Sequence, residues 1–133
     1  MIAEEIKRLK GEEIMVFPMS QHIGAPATPC VKVTDRVLKG MKIGEASGFV
    51  SSPVYSSVSG TVMRIEDRTM LNGKTSKCVV IKNDFEDECV EGFGISREVN
   101  ALSNDEIIKI ISDSGIVGMG GAGFPTGVKL SPK

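Results

Sequence analysis

The strongest constraint on this chain is a cadence of short apolar runs broken by turn formers, starting at Cys30. Cys30, Val31 and Val33 read as one strand, with Thr34-Asp35-Arg36 as the turn after it. Val37 and Leu38 follow, then a turn at Lys39-Gly40, then Met41 to Gly44. Phe49 and Val50 lead into the serine-rich stretch SSPVYSSVSG at 51–60. Gly60 to Ile65 alternates loosely, Asn72-Gly73 is a two-residue hairpin signal, and Cys78 to Ile81 reads as a buried strand. Turns this closely spaced predict a mainly β domain, a small barrel or sandwich. Upstream, Ile14 to Pro18 is a strand stopped by proline, and Met19 to Pro29 is irregular. Ile2, Ile6 and Leu9 have helical spacing among charged residues and predict a short amphipathic helix ending before Gly11.

Composition narrows the function classes. Sixteen basic and 17 acidic side chains give a net charge of -1, so no basic excess favours nucleic acid. Fifteen glycines beside five Phe, one Tyr and no Trp predict many tight turns and a core of small aliphatics. The three cysteines, Cys30, Cys78 and Cys89, form no Cys-x-x-Cys pair. Neither a zinc knuckle nor an iron–sulfur cluster is expected from them. Cys30 and Cys78 read as small buried hydrophobes and Cys89 as exposed. The N-terminus lacks the apolar core of a secretory signal, and the uncharged run at 114–128 is too short and too glycine-rich to span a membrane. An odd cysteine count without a leader suits a reducing compartment.

After Ile81 the chain turns acidic through Asp84, Glu86, Asp87, Glu88 and Glu91, without the spacing of a calcium loop. A solvated linker is expected there. Ser103 stands three residues before Glu106, the capping-box spacing, and Gly115 stands where a C-terminal glycine belongs. A helix over 104–114 follows, with Ile107, Ile108, Ile110 and Ile111 as its apolar face. Six glycines then fall between Gly115 and Gly127, with Lys129 close behind. Such a stretch lets backbone N–H groups converge on an anion, and it equally suits a flexible linker. No Gly-Lys-Ser/Thr is present, and a helix rather than a strand precedes it, so neither standard phosphate-loop pattern applies.

The string Gly118-MGGAGFPTGVK resembles the flavin-binding glycine loop shared by the 51 kDa flavoprotein subunit of respiratory complex I and the C subunit of the Rnf electron transport complex. SQHIGAPATP, KGMKIGEA and GFVSSPVYSSVSGTV resemble the Rnf C subunit specifically, in order and spacing, and the likeness runs over roughly 13–133. The resemblance implies a barrel-sandwich hybrid domain of biotinyl/lipoyl-like shape, short flanking helices and the start of an α/β flavin domain. The division it suggests is an arm at 1–12, the barrel-sandwich domain at 13–83, an acidic linker at 84–103, and a helix with the glycine loop at 104–133. It implies a protein that passes electrons between NADH and ferredoxin through FMN and [4Fe–4S] clusters, in an ion-translocating complex on the inner face of the cell membrane. The cluster cysteines would lie downstream of these residues.

By the same resemblance, Gly118, Gly120, Gly121, Ala122 and Gly123 would present backbone to flavin or nucleotide phosphate, with Lys129 beside them. Met119 stands where complex I has an arginine. No catalytic or metal-ligating residue is assigned. As a fragment the chain is expected to be inactive and to bind FMN and NAD(H) weakly, with residues 115–133 loosely held. The alternative is a non-catalytic docking module of a soluble relative. Other Rnf subunits are the expected partners, and ferredoxin an indirect one. The β segment also resembles biotinyl and lipoyl carriers, whose cofactor lysine sits at a hairpin tip. The corresponding tip, Ser51 to Ser57, has no lysine, so no covalent biotin or lipoyl group is expected. His22, the single histidine, reads as structural or as a surface contact, and Met15, Met19, Met41, Met63, Met70 and Met119 as core fillers.

Overall fold

The computed structural model describes residues 4–132. Among these, seven strands form two antiparallel sheets. β1 (Ile14–Pro18), β7 (Thr75–Asn83), β6 (Gly60–Thr69) and β3 (Arg36–Val37) make a four-stranded sheet in that order. β2 (Thr28–Pro29), β4 (Lys42–Glu45) and β5 (Val54–Tyr55) make a three-stranded one. Both sheets feed one apolar cluster: Phe17, Val37, Val62, Val79 and Ile81 from the first, Ile43 and Val54 from the second, with Met19 and Val31 from the connections. Valine and isoleucine dominate, as the low aromatic content predicts. On β7, Val79 and Ile81 point into this cluster, while Cys78 and Val80 alternate to the opposite face and are also fully buried.

The β6–β7 hairpin is the spine of the domain. Its register runs unbroken from Thr69↔Thr75 to Arg64↔Val80 and then shifts between Val62 and Arg64. The extra residue, Met63, bends the strand and faces outward. The turn uses Asn72-Gly73 as expected, with Gly73 at φ +76. It is wider than two residues, because Met70 N–H donates to Lys74 O across 71–73. β1 and the 78–81 strand also stand where the apolar runs place them.

Several expectations are corrected. Residues 4–10 form no helix, and Ile6 and Leu9 are 95% and 94% exposed. An amphipathic segment this short is marginal without a surface to receive its apolar stripe. Residues 1–3 of that segment lie outside the described residues. Cys30 to Val33 is not a strand. Lys32 N–H donates to the Asp35 carboxylate and Asp35 N–H donates back to Lys32 O, tightening a turn with Thr34 at φ +78. Cys30 is consequently exposed rather than buried, whereas Cys78 is buried and Cys89 exposed. Met63 is mostly outward and Met119 is fully exposed, so neither fills the core.

The acidic segment is more than a solvated linker. Arg36 donates to Asp84 and, at 2.7 Å, to Glu88. Ser59 Oγ donates to Asp84 at 2.7 Å and accepts from Glu88 N–H. Lys39 N–H donates to Glu88 O, and Val90 N–H donates to Lys39 O. Asp84 is held down to a pKa of about 2 by the Ser59 hydroxyl first, then by Arg36 and the Glu86 amide. Its unfolded pKa is about 3.9, so its folded value is depressed. The stability Asp84 contributes is complete above about pH 4 and is lost as pH falls through about 2. Urea midpoints between about pH 2 and 6 should therefore slope for the native chain and flatten for Asp84→Asn; parallel slopes would sink this assignment.

Candidate functional site

The second half of the chain builds a helix and a loop against the barrel. α1 (Asn104–Asp113) starts with the expected capping box: Ser103 Oγ accepts from Glu106 N–H, and the Glu106 carboxylate accepts from Ser103 N–H at 2.7 Å. Gly115 follows at φ +69 and ends the helix. Ile107, Ile108, Ile110 and Ile111 are only half-buried, so this face is incompletely covered among the described residues. A four-residue helix, α2 (Thr126–Lys129), packs on it with Gly127 against Ser112.

The glycine loop lies between the two helices. Gly118 N–H donates to Phe124 O, Thr126 N–H donates to Ile116 O, and Val117 bridges Pro125. These bonds draw the loop's ends together. Within the closed loop, the amides of Met119, Gly120, Gly121, Ala122 and Gly123 donate to no acceptor among the described residues. Residues 119–122 are exposed, whereas Gly123 is buried. Lys129 lies with its ammonium 5.8 Å from the Phe124 ring centroid, a cation–π contact.

Five of the six glycines divide into two kinds, and the sixth, Gly118, would bring a Cβ only into ordinary contact with Phe124 backbone, at 3.8 Å. Gly115 and Gly123 adopt positive φ, and a side chain on Gly127 would strike Ser112. Packing or conformation inside the chain accounts for those three. Gly120 and Gly121 are different: neither lies in the left-handed region, and a Cβ on either would meet nothing within 4 Å. Nothing within the described residues requires glycine at these two positions.

The barrel meets this loop at both ends. The Tyr55 hydroxyl donates to Asp113 O at the end of α1, and Gly115 sits so close to Pro53 that a Cβ would lie 2.6 Å from its carbonyl. At the other end, Ile23 N–H donates to Gly123 O at 3.3 Å, and a Cβ on Gly123 would stand 3.1 Å from Gln21 O and His22 Cα. A cavity of about 320 Å³ lies along this seam, lined by His22, Ser52, Pro53, Tyr55, Gly115 and Val117 among others. Tyr55 also lines a wider, open cleft of about 830 Å³ with Phe93, Arg97 and Lys109, to which no glycine of 118–123 contributes. His22 is buried, with Nε2 3.0 Å from Ala25 O and 3.2 Å from Ser52 N, and so fixes the 22–25 turn. Sequence reasoning assigned Tyr55 nothing; its contact partner is 58 residues away, and no local signal marks it.

Ser51 to Ser57 is not an exposed tip. Ser51, Ser52 and Ser56 are buried, and β5 runs through the middle of the segment. Ser51 Oγ donates to Ala25 O, and Ser56 Oγ to Val58 O. Among the described residues no group of three or more His, Cys, Asp or Glu is placed to hold a metal, and no helix is long and apolar enough to cross a membrane.

The family model of the RnfC barrel sandwich hybrid domain matches residues 2–86. This chain belongs to the RnfC family. The two curled sheets around one core agree with that description. The chain is 45% identical over 125 residues to the C subunit of the Na(+)-translocating ferredoxin:NAD(+) oxidoreductase complex of Acetobacterium woodii, covering 92% of this chain and 28% of that one. It is 46% identical over 116 residues to the proton-translocating counterpart of Clostridium ljungdahlii, covering 87% and 25%. Against the C subunit of the ion-translocating oxidoreductase complex of Vibrio cholerae it is 36% identical over 118 residues, covering 87% and 15%. The chain thus spans about a quarter or less of these relatives.

Proposed function

We propose that these residues are the N-terminal part of an electron-transfer subunit of an ion-translocating ferredoxin:NAD(+) oxidoreductase, and that 118–123 form one wall of its flavin site. The supporting observation is the pair Gly120 and Gly121, whose missing side chains nothing in the chain demands. Close approach of a ligand to the backbone would demand them. The unbonded amides of 119–123 would then donate to a phosphate. Residues 118–123 would hold FMN there, and the flavin would supply the exchange between two-electron hydride chemistry and one-electron transfer. This chain's own residues would bind and orient the cofactor. Lys129 is drawn toward Phe124 and would add positive charge on the side of α2. The reading divides the chain into an arm at 1–12, a barrel at 13–83, the acidic segment at 84–103 and the opening of the flavin domain at 104–133. It places the protein on the cytoplasmic face of the membrane, among the other Rnf subunits.

One wall encloses too little of a flavin to hold it firmly. A fluorescence titration with FMN is expected to give weak binding, above about 100 μM, for this chain, and retention by the complete subunit. Gly121→Ala should leave the urea midpoint of the chain unchanged and lower flavin retention in the complete subunit. Micromolar binding by this chain would show a complete site where we see one wall. Full retention by Gly121→Ala and by Gly121→Trp would remove the loop from the flavin site.

A further inference from the structure

Among the described residues, hydrogen bonds tie the loop to the barrel near its two ends. Tyr55, on β5, bonds the last carbonyl of α1, two residues before Gly115. The His22 turn bonds the loop's far end through Ile23 N–H and Gly123 O. Between these anchors, the exposed amides of 119–122 have no partner among the described residues. The arrangement suits a loop whose ends are fixed so that its middle stays open. Burial raises the pKa of the Tyr55 phenol, so it remains the protonated donor this bond needs. The His22 ring is itself buried, and its Nε2 either donates to Ala25 O or accepts from Ser52 N–H according to the tautomer, so one bond ties its turn in place.

We propose that the barrel-sandwich domain positions the glycine loop for its phosphate-bearing ligand, with Tyr55 and His22 as positioning residues. The ligand clause rests on the flavin reading above. A preorganised loop spares the ligand the entropic cost of ordering glycine-rich backbone, so the barrel would contribute to affinity without touching the ligand.

Two measurements test this. In the present chain, hydrogen exchange is followed at Ile23, whose amide bonds the loop from the barrel, and at Gly118 and Thr126, whose bonds close the loop itself. Tyr55→Phe and His22→Ala should speed exchange at these three by about twofold to tenfold, the range for one net hydrogen bond, and leave β7 amides unchanged. His22→Gln, which can still bond the turn, should fall closer to the native chain. Unchanged exchange at the three, or equal loss across β7, would overturn the proposal. In the complete subunit, FMN is titrated against Tyr55→Phe, His22→Ala and Gly121→Trp. Weaker FMN binding in all three, with the subunit still folding cooperatively, supports positioning. If only Gly121→Trp weakens binding, the flavin reading stands and positioning fails. If Gly121→Trp binds FMN normally, the flavin reading fails and the ligand clause goes with it.

Discussion

Replacing Gly60 with valine is expected to abolish the cooperative folding of the β-domain. Gly60 opens β6 and is paired on both sides, with Val37 of β3 and Asn83 of β7. A Cβ there would stand 2.0 Å from the Lys82 carbonyl oxygen and 2.9 Å from its carbon. The obstacle is backbone in the central strand, and no rotamer change relieves it. Parting β6 from β7 at this point would open the longest ladder in the domain. The cost should exceed about 4 kcal/mol, a large share of the roughly 5–15 kcal/mol that holds a domain together. Urea titration by far-UV circular dichroism checks it. Trimming Ile81, whose Cγ2 would stand 3.1 Å from the new atom, should not rescue the variant, because the carbonyl remains. A Gly60→Ala chain within about 1 kcal/mol of native would show that the strands yield here.

Ile43→Ala should cost about 2–5 kcal/mol, the range for emptying a fully buried aliphatic site. Ile43 is completely buried on β4, yet its neighbours in the cluster come from both sheets. The loss should therefore lower the urea midpoint as one transition. Leu71→Ala, at the exposed hairpin turn, should stay within about 0.5 kcal/mol and serves as the control. Two separate transitions in Ile43→Ala would mean the sheets do not share one core.

What could be read from the sequence is what local physics decides. Ile14 to Pro18 carries both its apolar run and its stop. Ser103 and Glu106 specify a helix start whatever surrounds them. The Asn72-Gly73 turn is legible for the same reason. Contacts across the chain are not legible. Arg36 and Asp84 are 48 residues apart, and without their pairing the acidic run looks solvated. The buried serines near 51–56 look like a polar tip, because serine is buried only when the fold supplies acceptors such as Ala25 O. The arm at 4–10 shows the converse: a good amphipathic pattern stays unhelical where nothing receives it. At the candidate site the glycine cluster is plain in the sequence. Which glycines the fold needs, and which it leaves open, depends on tertiary neighbours such as Gln21, Pro53 and Ser112.

The clasp of Arg36 and Ser59 on the acidic segment decides where this polypeptide tolerates a cut. A chain ended after Asn83 would keep every strand but lose Asp84 and Glu88 together. The Ser59 hydroxyl, fully buried, would then be stripped of its acceptor, and Arg36 of both its carboxylates. A chain ended after Val90 would keep these bonds and the two that tie Lys39 to residues 88 and 90. Nicking by a protease should accordingly begin in the exposed stretch 91–98 and spare 84–90. The mechanical edge of the barrel therefore lies several residues past its last strand.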